Sequence, residues 1–436
     1  MIKHTLKPLA LLLTLQSVAM PAMAQSLEQA IAHTLASNPD IKGAYNEFMS
    51  RQEQIDTAGS NYLPSLDLEA GIGYENYDNE YGTQGEYTPR MAKLSFRQLI
   101  WDGSITYNDI QRNKAEAEAQ RFQLLADSQD TALSAAEAYL NVLRSQDVLA
   151  LSEANVKVHQ KMYKEISRRT QSGIGSTADL AQIEGRLARS NTNLLAARSN
   201  LNDAITTFVR VVGEYPNDLV KPQVDSLYVP ASLDKALEQA RENNPIIQVA
   251  ANDIDAAQQQ YEQAKGNYYP SFTLEGSQQW GDEVGGSAGD NDEFKAMVKM
   301  RYNLFNGNGD VAKSREAAYQ LNKSKDIRDR AYQMLEQSTR LSWSAMELAN
   351  QQNQFLEQHV DASARTVMAY EKQFKIGQRT LLDVLNTENE LFEARKSYLQ
   401  AHYNGILAKY RVLNATGQLL AEMRIDLADN WTQSVK

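Results

Sequence analysis

The chain repeats itself at a fixed offset of about 206 residues. Ser26-Leu27-Glu28-Gln29-Ala30, running on to Asn38-Pro39, returns as Ser232-Leu233-Asp234-Lys235-Ala236 and Asn244-Pro245. Asn61-Tyr62-Leu63-Pro64-Ser65-Leu66-Asp67-Leu68-Glu69 returns as Asn267-Tyr268-Tyr269-Pro270-Ser271-Phe272-Thr273-Leu274-Glu275. The register holds between the two blocks, so each half is one structural unit that packs beside its twin or beside copies from other chains. Any fold proposed for one half must therefore serve the other.

Residues 1–24 stand apart from this repeat. Lys3 and Lys7 form a basic start, residues 9–15 an apolar core, and Ala22-Met23-Ala24 a small-x-small cleavage site. That is the pattern of a secretory signal peptide, excluded from fold reasoning. Without Lys3 and Lys7 the mature chain has 42 basic residues against 55 acidic ones, a formal charge of -13. Such a balance argues against a nucleic-acid partner. No later stretch approaches the roughly 20 apolar residues of a membrane-spanning helix, and the mean hydropathy of -0.53 is low. Cysteine is absent, which excludes disulfides and the acylated cysteine of a bacterial lipoprotein. Membrane attachment, if any, has to come from strands.

Strands are indicated after each Asn-Tyr-x-Pro block by alternation with period two. Leu66, Leu68, Ala70, Ile72 and Tyr74 alternate with Ser65, Asp67, Glu69, Gly71 and Glu75, and Ala92, Leu94 and Phe96 alternate with Lys93, Ser95 and Arg97. The second half repeats the pair, Phe272 and Leu274 first, then Phe294, Ala296, Val298, Met300, Tyr302 and Leu304. Each half thus contributes one hairpin, about 64–101 and about 270–305, with polar, Gly-rich loops at 77–88 and 281–293. Aromatics gather near the strand ends (Tyr62, Tyr74, Tyr77, Trp101, Tyr268, Tyr269, Trp280, Phe305), as in the interfacial girdles of a transmembrane barrel. A soluble antiparallel sheet is the alternative. Four strands cannot close a membrane barrel, because single-chain barrels begin at about eight; the barrel is expected to be shared between protomers.

The remainder reads as helix, without proline over 106–215 and 308–436. Asp102-Gly103 and Asn306-Gly307 mark turns out of the strands; Gly173-Ile174-Gly175 and Ile376-Gly377 interrupt the helices roughly 70 residues later, so each helix is about 100 Å long at 1.5 Å per residue. Heptads follow: Leu180, Leu187, Leu194, Leu201 and Phe208, then Leu385, Phe392, Leu399, Ile406 and Leu413. That spacing marks coiled-coil seams in place of a globular core. The division expected is a first repeat over 25–213, a waist or linker region with Pro216, Pro222 and Pro230 over 214–231, a second repeat over 232–420, and a tail over 421–436.

Catalytic chemistry is not indicated. His4, His33, His159, His359 and His402 include no pair at metal-ligand spacing, and neither a metal nor a cofactor is expected. Gly307-Asn308-Gly309-Asp310-Val311-Ala312 fits G-x-G-x-x-A between a strand and a helix, as a dinucleotide site would. Its strand alternates where a Rossmann strand is a continuous apolar run, its helix is too long for a βαβ unit, and Trp101-Asp102-Gly103 in the first half lacks the pattern. No enzymatic role is inferred.

The signal peptide, two-fold repeat, paired hairpins and very long coiled-coil helices together resemble the TolC family of outer-membrane channel proteins, over about 25–420. The most specific stretch, Ile376-Gly377-Gln378-Arg379-Thr380-Leu381-Leu382-Asp383-Val384-Leu385, is similar to the family's Val-Gly-x-Arg-Thr-x-x-Asp-Val-Leu signature. The resemblance implies an α+β membrane protein: a homotrimer whose twelve-stranded barrel in the outer membrane continues into an antiparallel α-helical coiled-coil tunnel across the periplasm. It implies partners too, a periplasmic adaptor and an inner-membrane transporter, either ABC-type or proton-driven, with the tunnel as exit duct.

The resemblance also assigns a periplasmic gate. Arg379 matches the arginine of the closing links, Asp179 its acidic partner on the other repeat, and Asp383 the first aspartate of the entrance ring. Phe374 stands where the family prototype has tyrosine and Asn386 where it has a second aspartate, which implies weaker polar closure and a less cation-selective mouth. Without the resemblance, Asp179 and Asp383 read as first-turn carboxylates facing the helix macrodipole and Arg379 as a solvated side chain. Gly173, Ile174, Gly175, Ile376 and Gly377 are the expected adaptor contacts. The tail and the missing lipid-anchor cysteine lean toward type I protein secretion over multidrug efflux. A soluble periplasmic coiled-coil adaptor is the rival of another class.

Overall fold

A computed structural model describes residues 24–78, 85–225 and 227–435. The signal peptide lies outside the described residues but for Ala24, and so does the centre of the first hairpin loop. The chain opens with α1 (Leu27–Ser37) and α2 (Pro39–Gly59). Ser26 caps α1 in a reciprocal capping box with Gln29, and Asn38 caps α2 ahead of Pro39 at its first position, where a missing N–H costs nothing. Then come β1 (Ser65–Ile72), a small flap of β2 (Glu75–Tyr77) and β3 (Gly85–Tyr87), and β4 (Arg90–Trp101). Helices α3 (Ile105–Gln171) and α4 (Thr177–Val212) complete the first half.

The second half repeats the order: α5 (Leu233–Asn243), α6 (Pro245–Gly266), β5 (Ser271–Asp282), β6 (Glu293–Arg301), α7 (Gly309–Lys375) and α8 (Leu381–Ala415). Asn244 caps α6 as Asn38 caps α2. Short helices α9 (Leu419–Glu422) and α10 (Asp429–Thr432) end the chain. Both α3 and α7 have 67 residues, which at 1.5 Å per residue is about 100 Å. Each is launched from its strand by two consecutive left-handed residues, Gly103-Ser104 and Gly307-Asn308; at Gly103 a Cβ would collide with the Gly266 carbonyl.

β1, β4, β5 and β6 form one antiparallel sheet in that order. The register Leu66↔Phe96↔Gly276↔Ala296 and Leu68↔Leu94↔Gln278↔Phe294 gathers Leu66, Leu68, Ile72, Leu94, Phe96, Leu274, Val298 and Met300 on one face. Asp67, Glu69, Lys93, Arg97, Glu275 and Lys299 fall on the other, where Lys299 Nζ lies 3.3 Å from Glu275 Oε2. Two strands end sooner than the alternation suggests. β1 stops at Ile72 before resuming as the flap, and β6 stops at Arg301, leaving Tyr302 and Leu304 exposed outside the sheet. Their period-two pattern continues past the last paired backbone, which composition cannot reveal.

The helices lie side by side. Toward the sheet the order is α2, α3, α6, α7; toward the far tips it is α4, α3, α8, α7. α7 is therefore an edge, with α5 packed on it at the waist, as β6 is an edge of the sheet, while β1, α2 and α4 form the opposite edge. Within α4 the expected leucine row is half-buried, and Ile183, Ser190 and Ala197 are buried more deeply. These occupy a second heptad position, where small side chains let neighbouring backbones approach.

The principal core sits at the waist, where Ile31, Phe48, Leu124, Tyr139, Phe208, Tyr410, Leu413 and Leu419 pack together. Ala132, Ala135 and Ala136 of α3 are fully buried there. The Tyr139 hydroxyl bridges the carbonyls of Gln25 and Val220 at 2.8 and 2.7 Å, tying the first helix and the 214–231 segment to α3; burial pushes its pKa up to about 12. The tail folds back on the same core: Trp431 stacks on Tyr45, and Arg121 donates to the carbonyls of Trp431 and Thr432.

Glu422 accepts the Asp225 N–H through Oε1, while Oε2 has no partner. Burial raises its pKa, opposed by the Asp225 N–H and by Arg424, and reinforced by Glu28 and Asp225. A raised pKa means the folded chain binds this proton more tightly than the unfolded one. Its stabilisation is complete below the unfolded carboxylate pKa and is lost as pH rises through the folded value. Glu422→Gln is therefore expected to match wild type in thermal midpoint near pH 4 and exceed it at pH 7.5, as followed by circular dichroism of the detergent-extracted protein.

Candidate functional site: the helix tips and the open edges

At the ends remote from the sheet, two helical hairpins turn in the same way. Gly173 (φ 76°) and Gly377 (φ 77°) supply the left-handed residue. The N–H of the next residue reaches back five positions: Ile174 to the Arg169 carbonyl at 3.0 Å, Gln378 to the Gln373 carbonyl at 2.9 Å, closing the last turn as C-terminal caps do. Ser176 then caps α4 through the Ala178 N–H. Thr380 and Asp383 form a reciprocal capping box on α8. At both apices an aliphatic side chain is left in solvent, Ile174 at 84% and Ile376 at 69% exposed. Gly173 and Gly377 leave the adjoining backbone bare, whereas Gly175 packs closely on Thr170 and Arg169.

Just inside the tips, Ile166 of α3, Ile183 of α4, and Leu381 and Leu385 of α8 are buried together, flanked by Met162, Tyr163, Leu180 and Phe374. This cluster joins the α3/α4 pair to the α7/α8 pair. Full burial of such a side chain is worth about 1.5–3 kcal/mol, whereas an exposed ion pair contributes about 1 kcal/mol or less. Within one chain, apolar packing is thus the dominant link between the two coils. Phe374 belongs to it, with the Arg169 guanidinium 5.4 Å from its ring centre. A cleft of about 370 Å³ runs alongside, lined by Lys161, Glu165, Phe374, Lys375 and Val384.

The polar residues of the expected gate are near one another in height but not joined. Among the described residues, Arg379 and Asp179 form no ion pair. Arg379 donates to Gln373 Oε1 at 3.0 Å and lies 4.2 Å above the Tyr370 ring, a cation–π contact. Asp383 accepts from the Thr380 hydroxyl and N–H. These bonds hold its carboxyl below the usual range, with Arg379 adding to the effect. Asn386 accepts a 2.8 Å hydrogen bond from Arg186 of α4, so it bridges the two repeats. Arg186, Tyr370, Gln373 and the Ile166–Ile183 pair were not singled out from the sequence; only the heptad position of Ile183 signalled any of them.

The edges are the second part of the site. Ile327, Met334, Leu341, Leu348 and Phe355 recur every seven residues on α7, and the last four are 55–68% exposed. Met334, Leu341 and Leu348 form an unfilled apolar stripe at heptad spacing on an edge helix, and Ile327 and Phe355 continue it while also lining clefts shared with α3. β1 and β6 are exposed along their full length. Trp101, Tyr269 and Phe272 cluster at the helix-proximal end of the sheet, while Tyr74, Trp280 and Phe294 are exposed at the other.

An apolar outer face bounded by two aromatic levels, with a charged inner face and long helices below, defines a membrane-embedded β-domain on a helical tunnel. The chain belongs to the outer membrane efflux protein family, whose sequence profile matches residues 30–214 and 236–418. It is 26% identical to outer membrane efflux protein BepC of Brucella suis biovar 1, over 92% of this chain and 87% of that one. It is 24% identical to outer membrane protein TolC of Escherichia coli K12, over 95% and 86%. A more distant relative is alkaline protease secretion protein AprF of Pseudomonas aeruginosa, 23% identical over 88% and 83%. The crystal structure of CusC shares the fold, with a TM-score of 0.80 at 16% identity over 91% and 92%. The TolC resemblance, the fold class and the outer-membrane location with a periplasmic helical tunnel therefore stand.

Phe374→Ala should loosen the tip by about 3–5 kcal/mol at most, the range for a phenylalanine removed from a core, and less here because Phe374 is only partly buried. Limited trypsin digestion, cutting at Arg168, Arg169, Lys372 and Lys375, is expected to proceed several-fold faster than in wild type with the same first fragments.

Proposed function

We propose that three copies of this chain close into a ring that serves as the exit duct of a tripartite export system, and that its narrow end is a gate. The observation that carries this reading is the continuous unfilled edge: β6 and the α7 apolar stripe on one side, β1, α2 and α4 on the other. A head-to-tail contact of this kind must close on itself or run on as a filament. With four strands per chain, three chains supply twelve, above the minimum of about eight for a membrane barrel, and β6 meets the next β1 antiparallel.

In the ring, Asp179 and Arg379, which form no ion pair with each other among the described residues, face one another across a protomer boundary and form the polar part of the gate. Phe374 holds its own protomer's two coils together in the apolar cluster. Opening requires the α7/α8 pair to swing from α3/α4, which breaks both. Ile174 and Ile376 present apolar contacts, and Gly173 and Gly377 bare backbone, to a periplasmic adaptor, with Gly175 shaping the first turn between them. The inner-membrane transporter, ABC-type or proton-driven, supplies the energy.

For cargo we assign type I protein secretion, supported by the name of AprF and by the folded tail that packs on the waist. The name of BepC and the family description support efflux of small molecules as the second reading. Deleting the gene separates them: loss of a large protein from the culture medium with unchanged drug sensitivity supports secretion, and the reverse pattern supports efflux.

Two outcomes test the duct itself. Planar-bilayer recordings should show a small conductance for wild type that rises several-fold in Arg379→Ser; equal conductances would remove Arg379 from the gate. Leu341→Glu together with Leu348→Glu places two charges in the seam and should leave a monomer on size-exclusion chromatography in detergent.

A further inference from the structure

Asp179, Arg186, Arg379 and Asp383 lie within about three helical turns of the tips, among other charged side chains such as Glu184, Arg189, Lys372 and Glu388. Asp179 and Arg186 are seven residues apart on α4, so they share one stripe of that helix. Asp383 and Asn386 are three apart on α8 and share one of its stripes. The Arg186–Asn386 hydrogen bond of 2.8 Å sets the two stripes against each other. Arg379 adjoins Asp383, whose carboxyl feels its charge. Among the described residues Arg186 makes no ion pair, and the side chain that accepts its hydrogen bond, Asn386, is a neutral amide. The amide orients the guanidinium without cancelling its charge. Arg186 also bears on His159 of α3, whose imidazole is kept neutral first by burial and further by this neighbouring cation.

We infer that Arg186 is a specificity-determining residue of the duct: held on Asn386, it places a ring of positive charge at the narrow end that offsets the carboxylates of Asp179 and Asp383, so the mouth passes anions and cations with little preference. This rests on the duct reading above. Among these four groups Arg186 and Arg379 stand against Asp179 and Asp383, and loss of Arg186 shifts the charge of the tip by one negative unit per chain. An ion passing about 7 Å from a unit charge in water is shifted in free energy by roughly RT, in opposite directions for cations and anions, and each protomer contributes.

Reversal potentials of the full-length oligomer in a planar bilayer across a KCl gradient test the inference. Wild type should show a potassium-to-chloride permeability ratio near unity. Arg186→Gln should raise it by roughly fivefold or more, and more at low ionic strength, where screening is weaker. Arg186→Lys retains the charge and should stay near wild type, which a role confined to bracing α4 on α8 would not require. Asn386→Asp should also shift the ratio toward cations, because the new carboxylate cancels Arg186. Arg186 is half-buried and Asn386 exposed, and neither belongs to the apolar cluster, so the variants are expected to assemble as wild type does. A conducting wild type whose ratio is unchanged in Arg186→Gln, or changed as much by Lys as by Gln, overturns the inference and leaves the duct intact. A folded oligomer that conducts nothing overturns both.

Discussion

Backbone hydrogen bonding at the two edges of the sheet governs the rest of the structure. β1 and β6 each present unpaired N–H and C=O groups at the height of the bilayer, where no water satisfies them and each costs several kcal/mol. A four-stranded sheet with one apolar face cannot stay open there, nor can it curl shut alone. The chain has to find β1 of one copy for β6 of another. The helices inherit that geometry, since β6 runs into α7 and α2 runs into β1, so the edge that is open in the sheet remains open down the tunnel as the heptad row from Ile327 to Phe355.

Two kinds of force hold the far end, and they differ in range and in sensitivity to salt. The cluster of Ile166, Ile183, Leu381 and Leu385 is short-ranged and indifferent to ionic strength. Asp179, Arg379 and Asp383 are exposed enough to be screened within about a Debye length. In the proposed gate, Phe374 moves closure from electrostatics toward packing within each protomer. A docking partner that inserted apolar contacts at the tips would compete with that packing directly, whereas a change in salt would act on the proposed boundaries between protomers.

The repeat, the hairpins, the 67-residue helices and the two glycine turns were legible because each is written in local chemistry: alternation, proline-free stretches and positive-φ residues. Other features depend on contacts distant in sequence. The buried Ser190 and Ala197 row does not read as hydrophobic, yet it is buried more deeply than the leucines beside it. The fold-back of Trp431 onto Tyr45 and the cross-repeat bond from Arg186 to Asn386 span 386 and 200 positions, beyond any periodicity. Asp179, Arg379 and Asp383 were placed at the tips by the family signature, and the single chain brings them to one level without pairing them.

Because the chain contains no cysteine, the ring can be tested by introducing them. One cysteine replaces Lys299 on β6, and a second is walked through Ser65, Asp67 and Glu69 on the same face of β1. Oxidation in outer-membrane vesicles should yield, for at least one pair, a covalent species that stops at three chains. Products that stay monomeric for every pair, end at two chains, or run on as an open ladder would contradict a ring of three closed through β1 and β6.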